Sequence, residues 1–291
     1  MGAVLRTLPG ARRYDGGPRV RLSRWLLALA YLAAAGAQAQ DGEAPRDPCS
    51  AQTLFALTEA GLLPRGEAVP IVSRACRIWP FDPAMELAAV VYPTSRDARM
   101  GERTLRLVVA VLDAGDARVL STYETGLDED AGFVLPEDGL LLDTARYDLA
   151  RGVRAFGVVV RNAAPGPSCP DRRANDNLTL LVRDGTQLRP VLTSALDFWA
   201  RVEGEPCSWA RGQRLVTEEA RFTIAVEPGS YNGFADLRVQ AQVTRMETVT
   251  GSDREDTVQR RDSRVLRYDG AAYDTRPLAS GFFWNRATRD D

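Results

Sequence analysis

The chain has 291 residues, 45% of them hydrophobic, a share that suits a packed globular protein better than a disordered one. Its 37 basic residues are all Arg and its 39 acidic residues leave a net charge of −2, with no His and no Lys anywhere. These absences exclude a Ser-His or Cys-His nucleophile, a His-ligated metal, a Schiff-base lysine and a P-loop lysine.

The first element is a targeting segment. Arg19, Arg21 and Arg24 form a basic flank, Trp25 to Ala35 an apolar run, and Ala37-Gln38-Ala39 a small-x-small cleavage pattern. That order predicts a signal peptide over residues 1–39, with the mature chain starting at Gln40. The run is too short to span a bilayer comfortably. No Cys follows it at lipid-anchor spacing, and Arg12-Arg13 lies far from it. The translation start stays open between Met1 and Val20. The segment holds six Arg and one Asp, so residues 40–291 carry 31 basic and 38 acidic residues, a net −7. Such a charge gives no footprint for nucleic acid and no polybasic patch for anionic lipid, and predicts no stable membrane insertion.

Four cysteines remain: Cys49, Cys76, Cys169 and Cys207. An even count in an exported chain reads as two disulfides, for which three pairings are possible. Proximity in sequence favours Cys49–Cys76 and Cys169–Cys207, each contributing roughly 3–4 kcal/mol by loop closure. No C-x-x-C spacing supports zinc.

Residues 40–48 are polar. Ser50 to Gly61 predicts a short helix, capped by Ser50 and closed by Gly61, with Leu54 and Leu57 on one face. Pro64 and Pro70 stop it. Trp79-Pro80-Phe81-Asp82-Pro83 is a rigid turn, and Leu87 to Tyr92 a strand, although Asp82-Pro83 could equally start a helix. Leu105 to Leu112 and Arg118 to Tyr123 flank a turn at Asp113–Asp116. Short strands follow at Leu140 to Leu142, Arg146 to Leu149 and Val153 to Arg161. Leu178 to Arg183 and Leu188 to Leu192 flank Asp184-Gly185, a pair that favours positive φ. Phe222, Ile224 and Val226 alternate with polar neighbours, as do Leu237, Val239, Ala241 and Val243, which predicts strands with one face on the core. Residues 247–262, rich in charge, predict an exposed loop. A last hairpin spans Arg264 to Tyr268, Asp269-Gly270 and Tyr273. No βαβ unit is required. The expected fold is a single mainly β domain over 40–291, an antiparallel sandwich or small propeller-like domain with a short N-terminal helix.

Asn232-Gly233-Phe234-Ala235-Asp236-Leu237 is the most distinctive segment. It resembles the end of the calcium loop in FG-GAP/VCBS-type repeats. Pro228 and Ser230 stand where that loop needs carboxylates, so a structural turn is expected there and no metal. The same segment, with Tyr268-Asp269-Gly270-Ala271-Ala272-Tyr273, Asp143-Thr144-Ala145-Arg146-Tyr147 and Arg154-Ala155-Phe156-Gly157, resembles uncharacterised secreted bacterial β-rich proteins. That resemblance implies export and a β fold and assigns no activity. Asp128-Glu129-Asp130 and Glu137-Asp138 read as a solvated acidic loop. Trp79, Trp199, Trp209 and Trp284 read as core or half-core residues before sugar-stacking ones, Trp209 as a cover for the Cys207 bridge. Asn177-Leu178-Thr179 is a glycosylation sequon by pattern alone. No catalytic, cofactor-binding or metal residue is assigned, and no cofactor is expected. The expected role is an exported binding or interaction protein without catalysis, its partner an envelope protein or a glycan. The alternatives are a carboxylate-dependent hydrolase of glycans or cell-wall material, which two acids can run without His or Lys, and a structural envelope component.

Overall fold

The computed structural model describes residues 49–65, 70–94, 99–205, 207, 210–253 and 255–279. The expected signal peptide, Gln40, Trp209 and Trp284 lie outside them.

A helix α1 (Ala51–Glu59) is followed by eleven described strands: β1 (Ser73–Ile78), β2 (Met85–Pro93), β3 (Thr104–Asp113), β4 (Val119–Asp128), β5 (Leu140–Ala150), β6 (Val153–Val160), β7 (Arg172–Asp184), β8 (Gln187–Glu203), β9 (Arg214–Tyr231), β10 (Phe234–Val249) and β11 (Glu255–Leu266). A short helix α2 (Arg276–Ala279) comes last. The fold is mainly β, and of the two expected architectures it takes the sandwich. Strands β1 to β4 pair as one antiparallel meander and β5 to β8 as a second. The meanders join through a single parallel pair, Thr122 of β4 with Gln187 of β8. At the opposite edge β1 lies along β5. Buried Ser73 bridges them: its Oγ donates to the Glu137 carbonyl (2.8 Å) and accepts from the Leu140 amide (3.1 Å).

Side-chain alternation divides the core. On β2 and β3, Leu87, Ala89, Val91, Leu105, Val109 and Val111 turn inward, meeting Phe156 and Val158 of β6 and Leu181 of β7. The other face of the same strands, Ala88, Val90, Val108 and Ala110, is covered by Leu57 of α1 and by Leu62 and Leu63. The Ser50 Oγ accepts from the Thr53 amide (3.0 Å) at the helix start, and Gly61 takes φ +74° at its end, as the sequence predicts. The Cys49–Cys76 bridge ties the helix start to β1. A third cluster packs the outer face of β5 to β8 against Phe222, Leu237, Val239, Ala241 and Val243 of β9 and β10.

Strand β8 is where the sheet forks. Its first residues lie beside β4, while Asp197 to Glu203 pair with β9. From there β9, β10 and β11 run on as a long antiparallel ribbon. The expected loop over 247–262 is overturned. Strand β10 continues to Val249, the chain turns, and β11 returns from Glu255. This stretch carries charge on both faces because much of β11 stands exposed, so it lacks the alternation that marks a half-buried strand. Asp82-Pro83 starts no helix: the Asp82 amide bonds to the Trp79 carbonyl (3.0 Å) and the Met85 amide to the Asp82 carbonyl (2.9 Å), which makes a turn into β2.

Candidate functional site

One concave feature of the described surface lies where β8 and β9 leave the sandwich. A cleft of about 400 Å³ is bounded by Ser168 and Pro170 on one side, by Trp199, Arg201 and Thr217 on its floor, and by Gln213, Arg214 and Thr250 at its end. The floor residues project from the side of β8 and β9 opposite buried Ala200, Val216 and Ala220, which face the core. The cleft therefore sits on the outer face of the ribbon.

The Cys169–Cys207 bridge forms part of the wall, with 5.7 Å between its Cα atoms. Both expected disulfides are thus present, and no described cysteine is free. The bridge holds the segment before β7 against the β8–β9 connection. Gly204 starts that connection at φ +100°, where an added Cβ would lie 2.7 Å from the Arg214 carbonyl oxygen. Only glycine satisfies both constraints.

Ion pairs then fix the polar groups. Arg201 pairs with Asp171, and its amide bonds to the Asp171 carbonyl (2.8 Å). Arg214 donates to both carboxylate oxygens of Glu247 (2.5 and 2.7 Å) and also pairs with Glu203. Hydrogen bonds to Glu247 and Glu203 raise its already high pKa further. Glu205 is the one carboxylate that lines the cleft, and it makes no ion pair among the described residues. Trp199 stands half-exposed, and the Arg173 guanidinium carbon lies 5.2 Å from its ring centre.

A second cluster of acids shares this face. Asp197 has its pKa raised by burial and then by neighbouring Glu219, which Arg221 (3.8 Å away) only partly offsets. Glu219 itself pairs with Arg221 (3.0 Å).

The other segments singled out in the sequence resolve into structural devices. Asn232 and Gly233, at φ +50° and +91°, form the two-residue turn between β9 and β10, with Tyr231 opposite Phe234. The Asn232 side-chain amide donates to the Tyr268 carbonyl (3.2 Å). The Tyr268–Tyr273 segment is a clasp. The Tyr273 hydroxyl donates to the Ala235 carbonyl (2.6 Å), its amide to the Val191 carbonyl (2.7 Å), and the Tyr268 ring stacks on Phe234 at 4.4 Å. Burial, and then Asp236, raise the Tyr273 phenol far above its usual range. Tyr147 closes the β5 irregularity by donating to Asp143 (2.7 Å).

The acidic loop is not simply solvated. Glu129 is buried, accepting from Arg103 Nε (2.7 Å) and from the Gly101 and Leu135 amides (2.9 Å each). Trp79 is core, packed edge-on to Phe156. Asn177 lies exposed in β7, opposite Ala195.

Cysteine spacing led to one wall of the cleft. The aligned arginines and acids did not stand out in a chain so rich in both. No family model matches the chain, and comparison with curated proteins and with solved structures finds no match. No described helix is long and apolar enough to cross a membrane, and the two bridges fit an oxidising, extracellular-type compartment.

Proposed function

We propose that this chain is an exported binding protein of the periplasm or the extracellular space, and that the cleft beside Cys169–Cys207 is its ligand site. The observation that carries this reading is how the acids near the cleft are used. Glu205 is the one carboxylate that lines it, and the acids beside it, Asp171, Glu203 and Glu247, are held in pairs with the lining arginines. Glycoside cleavage by carboxylates needs an acid and a second carboxylate facing each other across the bond. A half-exposed indole beside oriented guanidinium and hydroxyl groups instead suits recognition. The ring offers a flat apolar face and the arginines offer fixed donors. The volume lies within the range of small-ligand pockets and fits a short saccharide.

Calorimetric titration with neutral oligosaccharides and soluble cell-wall fragments tests the proposal. Binding that Trp199→Ala abolishes without loss of fold supports it. Absence of binding across the panel overturns the ligand site and leaves the structural envelope role. Cell fractionation that finds the chain in the cytoplasm overturns export.

One observation favours a hydrolytic reading: Asp197 and Glu219 share the same outer face, and Asp197 is pushed toward the protonated form. Release of reducing ends from the same fragments, lost in Asp197→Asn, would replace the binding proposal with that one.

A further inference from the structure

Strand β11 is a long open edge. Among the described residues it pairs on one side only, with β10, and Glu255 to Gln259 and Arg261 stand exposed. Such an edge presents unpaired backbone donors and acceptors to any strand that fits it. The strand that suits it best is its own copy.

Consider two copies of β11 running antiparallel about a two-fold axis normal to the sheet. Opposed residues then share a face, so one residue must lie opposite itself. Centring on Gln259 sets Asp256 against Asp262. Centring on Arg260 or Arg261 sets two guanidinium groups against each other. Centring on Thr257 leaves Asp256 opposite Val258. Centring on Val258 sets Glu255 opposite Arg261, Asp256 opposite Arg260 and Thr257 opposite Gln259. Symmetry makes each charge pair occur twice. The two Val258 side chains, 50% exposed in one copy, meet at the axis. Glu255 and Arg261 make no ion pair within the chain among the described residues, so both are available for it. Arg260 already lies near Asp262 (3.4 Å) and the buried Glu218 (4.0 Å), so the pairing of Glu255 with Arg261 is the one that sets the register.

We propose that β11 is a homodimer edge, paired with a second copy of this chain in the register that centres on Val258. The interface is small and mostly polar, so the dimer forms and dissociates with concentration. The axis is normal to the sheet, so the outer faces of both ribbons point the same way. A two-stranded contact thereby joins two ribbons into one continuous surface.

Sedimentation equilibrium of the full chain over a wide concentration range reads the association. Arg261→Glu should weaken it about tenfold or more, because two opposed pairs become repulsive. The double reversal Glu255→Arg with Arg261→Glu should restore it. Val258→Cys should cross-link two chains in a glutathione redox buffer, since residues directly opposed lie about 4.5–5.5 Å apart between Cα atoms. Val265→Cys, far from the axis, should not. A monomer at every concentration overturns the proposal and leaves the charges as guards of a solitary edge. So does a dimer indifferent to Arg261→Glu, or cross-linking through Val265→Cys alone. If Arg261→Glu fails to fold, the paired cysteine variants decide.

Discussion

Strands β3 and β10 are both central, and they bury themselves in different ways. Along β3, Val108, Val109, Ala110 and Val111 are all buried, because α1 covers one face and β6 and β7 the other. Along β10, Leu237, Val239, Ala241 and Val243 are buried, while Gln240 and Gln242 between them are exposed. The sandwich is a two-sided structure and the ribbon a one-sided one. Tolerance to substitution, disulfide strength and pH response should all divide along that line.

The sharpest break comes from placing a carboxylate at neighbouring positions. Val108→Asp and Val109→Asp should each cost more than about 3 kcal/mol, since both faces of β3 are apolar and offer no partner. In β10, Val239→Asp should cost as much, whereas Gln240→Asp should change stability by less than about 0.5 kcal/mol. Urea denaturation of the four variants gives the comparison directly. A tolerated Val108→Asp would show that α1 does not seal its face of β3.

Next in size is Glu129. Burial by itself would raise its pKa, but the Arg103 guanidinium and the Gly101 and Leu135 amides outweigh that and hold the carboxyl below its ordinary value. A lowered folded pKa contributes stability above the unfolded value, and that stability is lost as pH falls through the folded pKa. Glu129→Gln leaves Arg103 without its counter-charge and should cost about 3 kcal/mol at neutral pH. The variant should also flatten the acid limb of a stability-against-pH curve. An unchanged limb would mean that other carboxylates carry it.

The disulfides separate two accounts of what a bridge does. Their sequence separations are 27 and 38 residues, so loop entropy alone makes Cys169–Cys207 the stronger by about 0.3 kcal/mol. Burial argues the reverse. Cys49 and Cys76 lie in the core cluster under α1, whereas Cys169 and Cys207 are exposed at the cleft wall. Replacing both members of a bridge with Ser should cost about 2–4 kcal/mol for Cys49–Cys76 and clearly less for Cys169–Cys207. Melting temperatures of the two double variants check the order. The reverse order would favour chain entropy over packing.

The same contrast explains what was legible in the sequence. The one-sided strands declared themselves by alternation, and the register expected for Leu237 to Val243 is the one found. The two-sided strands showed up as short apolar runs at 87–92 and 105–112. The helix was readable from Ser50 and Gly61, because capping is local chemistry. What stayed hidden was set by distant partners. Strand β11 has charge at half of its 12 positions, so only its pairing with β10 makes it a strand. The far half of β8 has no clean period, because it changes neighbours along its length. The cleft and the ion pairs behind it draw Arg201, Arg214, Glu203 and Glu247 from three strands, and no spacing in a linear chain announces that meeting. Glu129 reads as one of three consecutive acids, and only Arg103, 26 residues earlier, makes it a buried anchor.

The smallest expected effect carries the opposite sign from Glu129. Asp197 lies on the outer face of the ribbon, where burial and then Glu219 raise its pKa against the pull of Arg221. A carboxyl whose folded pKa exceeds its unfolded value binds its proton more tightly when folded. It therefore lowers stability once pH is above the folded pKa, and that penalty disappears as pH falls below the unfolded one. Asp197→Asn removes the penalty, so the variant should be slightly more stable than the parent at neutral pH and equal to it in acid. The Asp197 side chain is 34% exposed, so solvent screens the repulsion and the gain should stay below about 0.5 kcal/mol. Glu219→Gln should give a gain of the same sign by removing the repelling charge, tempered by its lost pairing with Arg221. Paired melting curves at neutral and acid pH read both variants. A neutral-pH loss in Asp197→Asn would mean that the Arg221 contact outweighs the repulsion, and this face of the ribbon would then be held together by its charges.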